Sequence, residues 1–330
     1  MSWDHHERRG GGGEIEPLQV TTLGEALIVM DPLSEGALRH VARFEKHCGG
    51  AELNVAVGLA RLGHRAGWAG ALGDDEFGRE IEAFARGEGV DLSRAAFDPE
   101  APTGLYFKER RTLGQLRTHY YRAGSAASRM RFEDLDLDYL LSGTFLHLTG
   151  ITAALSESCR DLTTRLILSA NERDVPISFD ANVRWRLFDD RDPRETLKPL
   201  VDRADLLFLS EEEAELLLGG SAGESILQVR RDMRAKTVVV HQADGAFAVE
   251  DEGFVEKTGY SVKVVDTVGA GDAFVAGFLS GRLRRWKTEE CLDMANACGA
   301  CAVSVPGDLK GLPTADDALA LLRGRPEAER

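Results

Sequence analysis

The chain has 330 residues, of which 43% are apolar, and its formal net charge at pH 7 is −15. This length and apolar content suffice for a large buried core, which excludes a chain that is disordered throughout. The acidic balance opposes contact with nucleic acid or with an anionic membrane, although a locally basic cleft could still hold a small anion.

The N-terminal segment is polar and contains a glycine run at Gly10–Gly13, but it has no apolar stretch of the kind found in secretion signals. Nowhere does the sequence approach about eighteen uninterrupted apolar residues, the length of a membrane-spanning helix. We therefore expect a cytoplasmic protein with no membrane partner. Residues 1–16 are expected to form a disordered tail and residues 325–330 a short C-terminal tail.

The five cysteines are odd in number and unevenly spaced, which argues against a disulfide framework. Cys298 and Cys301 form a C-x-x-C pair. Because they lie in an alanine-rich helical pattern without a second pair of ligands, we interpret them as buried small residues rather than as a metal or redox site.

Short apolar runs alternate with amphipathic segments along residues 17–324, which is typical of an α/β fold: a doubly wound, mostly parallel sheet with helices on both faces. The strand candidates are Val20–Leu23, Ala66–Ala71, Phe145–Leu148, Ile177–Phe179, Leu206–Leu209 and Thr237–Val240. The helix candidates are Leu53–Leu62, Phe77–Glu88, Glu157–Glu172, Glu195–Val201, Glu211–Leu218, Gly271–Arg284, Thr288–Ser304 and Ala315–Leu322.

Two segments, at about 36–48 and 101–124, interrupt this alternation. The second places aromatic residues such as Phe107 and Tyr120 among charged residues in β-favouring surroundings. We predict that the two segments form a small β-sheet outside the main fold. Such a sheet would act as a lid over the carboxyl ends of the main strands, where open α/β folds bind ligands.

The motif from Asp266 to Asp272, DTVGAGD, places two glycines and a carboxylate directly before an apolar helix, after a predicted strand or extended segment at Tyr260–Val265. Free N–H groups and the helix dipole favour an anion at such a helix start, and Gly269 and Gly271 let a phosphate approach closely. A carboxylate there would repel phosphate, so Asp272 suits a different task, accepting a proton from an attacking hydroxyl. Asp is also a common helix N-cap, and the motif alone leaves both interpretations open.

A second pair of glycines, Gly49 and Gly50, precedes the helix that continues through Asn54 to Gly63. The amide of Asn54 offers a donor and an acceptor near a helix start, which suits a polyhydroxylated ligand. Capping or a buried hydrogen bond is the alternative for this residue taken alone.

These two segments together resemble the two signatures of the PfkB, or ribokinase-like, family of sugar kinases. The sequence DTVGAGDAFVAGFL at Asp266–Leu279 matches the C-terminal signature, and the Gly49–Gly63 segment is similar to the N-terminal one. The resemblance extends over about Val20–Leu322. It implies a ribokinase-like fold that uses ATP, an anion hole formed by Gly269, Ala270 and Gly271, and Asp272 as the catalytic base.

Further stretches resemble the 2-keto-3-deoxygluconate kinases of that family. They are Gly49–Asn54, Thr103–Tyr106, Tyr120–Ala126, His147–Ile151, Asp180–Arg184 and Leu209–Glu213. The matching positions imply that a sugar acid is held from the lid side by Gly50, Tyr106, Tyr120 and Arg122, and from the main domain by Arg184. Arginine suits the substrate carboxylate because its planar fork of donors matches that group. The alternative is that both arginines are ordinary surface charges.

The resemblance also implies contacts to ATP and Mg²⁺. Ser210-x-x-Glu213 takes the place of an Asn-x-x-Glu motif, which implies that Glu213 belongs to the network orienting Mg²⁺ and its waters; an acidic first helix turn is the alternative. Nucleotide contacts are implied at Asn182, near the phosphoryl path, at Ser210 and Gly245, and at Asn296, beside the adenine.

The stretch Val239–Gly245, which contains the implied nucleotide contact Gly245, departs from the family pattern. Of the usual Gly-x-x-Gly only Gly245 is present; Gln242 replaces the first glycine, and Val240 replaces a polar residue. This departure puts the approach of the nucleotide phosphates in doubt.

From these features we expect ATP- and Mg²⁺-dependent phosphorylation of the 6-hydroxyl of 2-keto-3-deoxygluconate. The alternatives are a kinase for a neutral sugar, such as a fructokinase or ribokinase, a nucleoside kinase, and a sugar-acid-binding regulator with weakened catalysis. No nucleic-acid partner is expected. Because unpaired edges of a lid sheet are a liability, we predict a homodimer or a dimer-based assembly.

Overall fold

The computed structural model describes residues 17–111, 116–188 and 191–324. The strands of this part of the chain are β1 (Val20–Leu23), β2 (Leu27–Pro32), β3 (Phe44–Gly49), β4 (Ala66–Gly73), β5 (Asp91–Asp98), β6 (Gly104–Arg110), β7 (Leu116–Tyr121), β8 (Phe145–Thr149), β9 (Ile177–Asp180), β10 (Leu206–Ser210), β11 (Thr237–Gln242), β12 (Gly245–Glu250) and β13 (Gly253–Thr258). The predicted tails at 1–16 and 325–330 lie outside the described residues.

The α-helices of the same ranges lie mostly between these strands. They are α1 (Ala51–Arg61), α2 (Glu76–Gly87), α3 (Leu137–Leu140), α4 (Gly150–Ala154), α5 (Glu157–Glu172), α6 (Pro193–Val201), α7 (Glu211–Leu218), α8 (Gly223–Arg230), α9 (Ala270–Leu283), α10 (Thr288–Val303) and α11 (Ala315–Leu322). Among the described residues, no helix combines the length and the apolar character that crossing a bilayer requires.

The main sheet has nine strands in the order β13-β12-β11-β10-β9-β8-β1-β4-β5. The strands from β11 to β5 pair in parallel, whereas β12 and β13 add antiparallel pairs at one edge. The predicted doubly wound, mostly parallel α/β sheet is therefore confirmed.

Successive strand residues face two separate apolar cores. In β10, Leu207 and Leu209 belong to one core and Leu206 and Phe208 to the other, as the alternation of strand side chains requires. Residues of α3 to α8 fill the first core, and residues of α1, α2, α9, α10 and α11 fill the second. Both faces of the sheet are thus buried, which explains why its strands read as short apolar runs.

A smaller sheet of four strands has the order β3-β2-β6-β7. β2 pairs antiparallel with β3 and parallel with β6, and β6 pairs antiparallel with β7. The segments predicted for a lid, 36–48 and 101–124, contain β3, β6 and β7. The remaining strand, β2, lies outside them, and Leu38–His40 forms a short 3₁₀ helix instead of strand.

The segment Tyr260–Val265, for which we predicted a strand or an extended chain, contains no strand. The N–H groups of Val265 and Asp266 both donate to the carbonyl of Val303, at 2.7 and 3.2 Å, at the end of α10. This contact fixes the chain just before the DTVGAGD motif. Cys298 of α10 is buried, and a Cβ on Gly277 of α9 would lie 2.9 Å from its sulfur, so small residues let these helices pack closely.

Candidate active site

A cleft of about 680 Å³ lies where the carboxyl ends of the main strands meet the small sheet. Most of the predicted functional residues line it, although they come from distant parts of the chain. They are Gly50, Asn54, Tyr106, Tyr120, Arg122, Asn182, Arg184, Ser210, Glu213, Gly269, Ala270, Gly271 and Asp272.

One end of the cleft is formed by the start of α9. Gly269 is the N-cap residue and has a φ of +79°, and a Cβ at this position would clash with the carbonyl of Asp308. Gly271, in contrast, has no atom within 4 Å of the position a Cβ would take. The N–H of Ala270 donates to the carbonyl of Thr267 at 3.4 Å. The space beside Gly271 is open, so an anion can approach this helix start without steric hindrance from a side chain there.

The carboxylate of Asp272 is buried beside this helix start. Asn54 Nδ2 donates to Asp272 Oδ2 at 2.7 Å. Burial raises the pKa of Asp272 to about 6; the hydrogen bond from Asn54 and the charge of Arg184 oppose that shift, and the charge of Asp308 adds to it. A carboxylate with such a pKa is ionised near neutral pH and is basic enough to accept a proton in catalysis.

Asn54 owes its place to the start of α1. Gly50 is the N-cap residue with a φ of +134°, and a Cβ there would clash with the carbonyl of Glu25. The other amide atom of Asn54, Oδ1, is buried and has no hydrogen-bond partner within residues 17–111, 116–188 and 191–324. Because a buried acceptor without a partner is costly, this oxygen is suited to receive a ligand hydroxyl.

Arg122 contacts a carboxylate of the protein itself. Its Nη2 forms an ion pair with Glu25 Oε2, and the guanidinium lies 5.2 Å from the ring centre of Tyr120. Glu25 is 1% exposed, and Ser125 Oγ donates to its other oxygen at 3.2 Å. The charge of Arg122 is thus balanced before any substrate binds.

Arg184 lies four residues after the end of β9, lines the cleft and has an exposed side chain. Among the described residues its guanidinium has no hydrogen bond or ion pair. Its neighbour Trp185 also lines the cleft and is 59% exposed. Arg184 therefore supplies an available positive charge, and Trp185 an apolar surface, in the same part of the cleft.

Glu213 forms a capping box at the start of α7. Its Oε2 accepts from the N–H of Ser210 at 2.8 Å, and its Oε1 accepts from the N–H of Val183 at 2.6 Å. The side-chain hydroxyl of Ser210 accepts from the N–H of Glu213 in return. The alternative of a helix cap therefore holds for Glu213, which also lines the cleft.

Sequence reasoning missed Asp180, which ends β9 and is buried in the cleft wall. Burial, together with the charges of Glu213 and Asp272, raises its pKa well above the usual range. Asp180 accepts from the N–H and side chain of Asn182, at 3.1 and 3.3 Å. Its position at the carboxyl end of a parallel strand was the signal that could have revealed it.

Two further cleft residues, His241 and Asp308, were also missed. His241 lies in β11 with its ring 5.9 Å from that of Phe274. Asp308, in the loop after α10, accepts from the hydroxyl of Tyr106 at 2.9 Å. No local sequence pattern marks Asp308, because its partner is 202 residues away.

Gly245 and Asn296 are not among the residues that line the cleft. Asn296 Nδ2 donates to the carbonyls of Lys257 and Thr258 at the end of β13, and Gly245 pairs with Thr258. A Cβ on Gly245 would clash with the carbonyl of Lys257. Both residues thus support the edge hairpin of the sheet, and their contacts with nucleotide stay predictions.

The departure at Val240 and Gln242 lies in the hairpin between β11 and β12. Val240 is buried inside the sheet, and Gln242 pairs with Gly245 and donates from Nε2 to Glu211 Oε1 at 2.9 Å. Gln242 is accommodated as the last residue of β11, opposite Gly245 across the two-residue turn Ala243–Asp244.

Comparison with known proteins identifies the family. Residues 18–315 match the family described as "pfkB family carbohydrate kinase". A 2-dehydro-3-deoxygluconokinase from Bacillus subtilis is 38% identical over 90% of this chain and 93% of its own, and one from Thermoproteus tenax is 36% identical over 93% and 94%. Fructokinase-1 of rice is 34% identical over 92% of this chain and 97% of its own.

Solved structures agree with the sequence comparison. A PfkB protein from Polaromonas sp. JS666 has a TM-score of 0.84 and 35% identity, covering 92% of this chain and 99% of its own. A fructokinase from Xylella fastidiosa, crystallised with bound ATP, has a TM-score of 0.82 and 27% identity, covering 94% and 99%. The chain therefore belongs to the PfkB family of carbohydrate kinases.

Proposed function

We propose that this carbohydrate kinase transfers the γ-phosphoryl group of ATP to a hydroxyl of a sugar acid, with the 6-hydroxyl of 2-keto-3-deoxygluconate as the preferred acceptor. The observation that carries this proposal is the exposed guanidinium of Arg184 in the wall of the cleft. A neutral sugar has no group that requires such a charge, whereas a carboxylate forms strong, paired hydrogen bonds with it.

Relatives named for a sugar acid and relatives named for a neutral sugar are similarly close to this chain in sequence. Two 2-dehydro-3-deoxygluconokinases and a fructokinase all share about a third of their residues with this chain. Glu25, the ion-pair partner of Arg122, adds a negative charge to the same cleft, so Arg122 offers a substrate carboxylate less net positive charge than Arg184 does. A substrate carboxylate would therefore bind mainly at Arg184, whose guanidinium has no ion-pair partner among the described residues.

The proposed reaction proceeds by in-line transfer. Asp272 accepts the proton of the attacking sugar hydroxyl, and the free Oδ1 of Asn54 accepts a hydrogen bond from a second hydroxyl of the sugar. The amides of Gly269–Gly271 and the dipole of α9 stabilise negative charge on the transferring group. Closure of the small sheet over the cleft excludes water that would otherwise hydrolyse ATP.

The residues present fit a magnesium–nucleotide complex. The carboxylates of Asp180 and Glu213 face the same part of the cleft as the start of α9, and Mg²⁺ commonly binds through a few carboxylates and several waters. When bound, Mg²⁺ would neutralise charge on the phosphate oxygens. Binding of ATP and Mg²⁺, a cytoplasmic location and a dimer-based assembly are predictions of the proposal.

A substrate panel tests the proposal. ADP release is measured with ATP, Mg²⁺ and, in turn, 2-keto-3-deoxygluconate, its galactonate epimer, fructose, ribose and a nucleoside. We expect kcat/KM for an acid to exceed that for every neutral compound by at least about tenfold, the factor expected from one charge-assisted hydrogen bond.

Arg184→Gln identifies the source of that preference. It should lower kcat/KM for the acids by about 10- to 100-fold and that for fructose by less than about threefold. Arg194→Gln, at an exposed arginine paired with Asp192, is the matched control. Equal losses on acids and on fructose would favour a kinase for a neutral sugar.

A further inference from the structure

A buried cluster of charges joins the small sheet to the loops around the start of α9. Lys108 of β6 lies at its centre, with no exposed surface. Its Nζ donates to Asp308 Oδ1 at 3.0 Å and to Asp266 Oδ2 at 3.1 Å. Asp31 of β2 lies 3.8 Å from the same Nζ and accepts two hydrogen bonds from Arg110.

The first partner of Lys108, Asp266, shapes the turn before α9. Its Oδ1 accepts from the N–H of Val268 at 3.1 Å, and its Oδ2 accepts from the N–H of Gly307 at 3.2 Å. Asp266 therefore connects the chain that enters the turn with the loop that follows α10. Lys108 bonds to the same Oδ2 that receives Gly307.

The second partner, Asp308, touches the turn from the other side. Its backbone carbonyl lies so close to Gly269 that a Cβ on that glycine would clash with it. Its Oδ2 accepts from the hydroxyl of Tyr106, on the same strand as Lys108. One ammonium thus links the small sheet to both sides of the turn that presents the amides of Gly269–Gly271.

Charge balance explains why this link requires a cation. Burial alone would lower the pKa of Lys108, but the carboxylates of Asp308 and Asp266 outweigh it and raise that pKa, so the ammonium stays charged. Without it, three carboxylates would share the cluster with Arg110 and with His47, which lies 3.9 Å from Asp31 and whose pKa is lowered by burial. Buried carboxylates in that situation repel one another, and this repulsion would displace the turn.

We propose that Lys108 is a positioning residue for phosphoryl transfer, which holds Asp266 and Asp308 so that the amides of Gly269–Gly271 keep their place when the small sheet closes over the cleft. The inference rests on the proposed chemistry at Asp272. Lys108 acts through its two carboxylate partners, because its buried ammonium is directed at them and not at the cleft.

The same cluster influences the ionisation of Asp272. The charged and titratable groups that face Asp272 are Arg184 and Asp180 from the end of β9 and its loop, Glu52 from α1, and Asp308. The negative charge of Asp308 raises the pKa of Asp272, and Lys108 offsets that charge from 3.0 Å away. Loss of Lys108 should therefore raise the pKa of Asp272 further.

The test compares the wild-type enzyme with Lys108→Met, which keeps a long side chain without its charge. With the sugar that the wild type phosphorylates fastest, we expect kcat to fall by at least about tenfold and both KM values to change by less than about threefold. The acidic limb of kcat against pH should move to higher pH. A purely structural role would lower the yield of folded enzyme and its Tm but leave that limb in place.

A second variant and a second readout keep the test decisive. Lys108→Met combined with Asp31→Asn restores the charge balance of the cluster and replaces the single variant if that one does not fold. The backbone amides of residues 266–272 should exchange hydrogen faster in either variant than in the wild type, and exchange in α5 should stay unchanged as the reference. This measurement requires no turnover.

The inference would be overturned by a folded Lys108→Met protein that has the kcat, the acidic limb of kcat against pH and the hydrogen exchange of the wild type. A wild-type enzyme that phosphorylates none of the sugars would instead overturn the proposed function. The exchange measurement would in that case still decide whether Lys108 holds the turn.

Discussion

The side-chain amide of Asn54 donates to the carboxylate of Asp272 across 2.7 Å and thereby joins the first turn of α1 to the first turn of α9. The two helix starts come from segments 218 residues apart, and each begins at a glycine with positive φ. The hydrogen bond orients the proposed base and leaves the Asn54 oxygen free for the substrate.

The pH dependence of catalysis should report the ionisation of Asp272. Burial raises its pKa from 3.8 to about 6, so the carboxylate becomes protonated, and cannot accept a proton, as the pH falls through that value. We expect kcat at saturating substrate to fall tenfold per pH unit below about pH 6. Steady-state kinetics between pH 5 and 8 measure the limb, and an unchanged kcat at pH 5 would argue against Asp272 as the base.

Asn54→Leu should move that limb to higher pH. The amide of Asn54 lowers the pKa of Asp272, and its removal leaves burial less opposed. The matched control is Asn171→Leu on α5, whose Nδ2 bonds the carbonyl of Arg203 far along the chain from both helix starts. A limb that stays in place, or moves to lower pH, in Asn54→Leu would contradict this role for the hydrogen bond.

Gly271→Ala should impair catalysis without harming the fold. A methyl group there meets no protein atom within 4 Å, so the free energy of unfolding should stay the same or rise by up to about 1 kcal/mol. The methyl group would occupy the space beside the first amides of α9, and we expect kcat/KM for ATP to fall by at least about tenfold. Unchanged kcat/KM would show that phosphate binds elsewhere.

Gly269→Ala should destabilise the fold, unlike Gly271→Ala. Gly269 has a φ of +79°, and a Cβ there would clash with the backbone carbonyl of Asp308. We expect a loss of about 1–3 kcal/mol in the free energy of unfolding, measured by urea denaturation. A wild-type midpoint and slope in this variant would mean that the turn adapts without cost.

Arg122→Met should destabilise the fold because it leaves Glu25 buried without its cation. We expect a loss of about 3 kcal/mol in urea unfolding. Arg122→Met combined with Glu25→Gln should recover most of that loss, since neither partner then carries an uncompensated charge. Simple additivity of the two single changes would contradict the pairing.

Local patterns predicted the elements that they specify directly. The bounds of α5 agree at both ends because Ser156 caps its first turn and the apolar period is regular. Two of the strands were missed for different reasons. β5, at an edge of the main sheet, is only partly buried along most of its length and has no clear alternation. β2, an inner strand of the small sheet, follows β1 after only Gly24–Ala26, so no loop or turn of ordinary length separates the two.

Within the cleft, the sequence identified residues at helix starts and strand ends, such as Asp272 and Asn54, because glycines mark those turns. It could not reveal their partners. Glu25 meets Arg122, and Asp308 meets Lys108 and Tyr106, only through the packing of the small sheet on the main one. Long-range ion pairs of this kind leave no periodic or motif signal in the chain.

The most direct test of the central claim is the activity of Asp272→Asn, which keeps the size and polarity of the side chain but removes its basicity. We expect kcat to fall by at least about a thousandfold, while the Kd of the sugar, measured by calorimetry, changes by less than about threefold. A kcat within tenfold of the wild type, in a folded protein that binds the sugar normally, would contradict the assignment of Asp272 as the base.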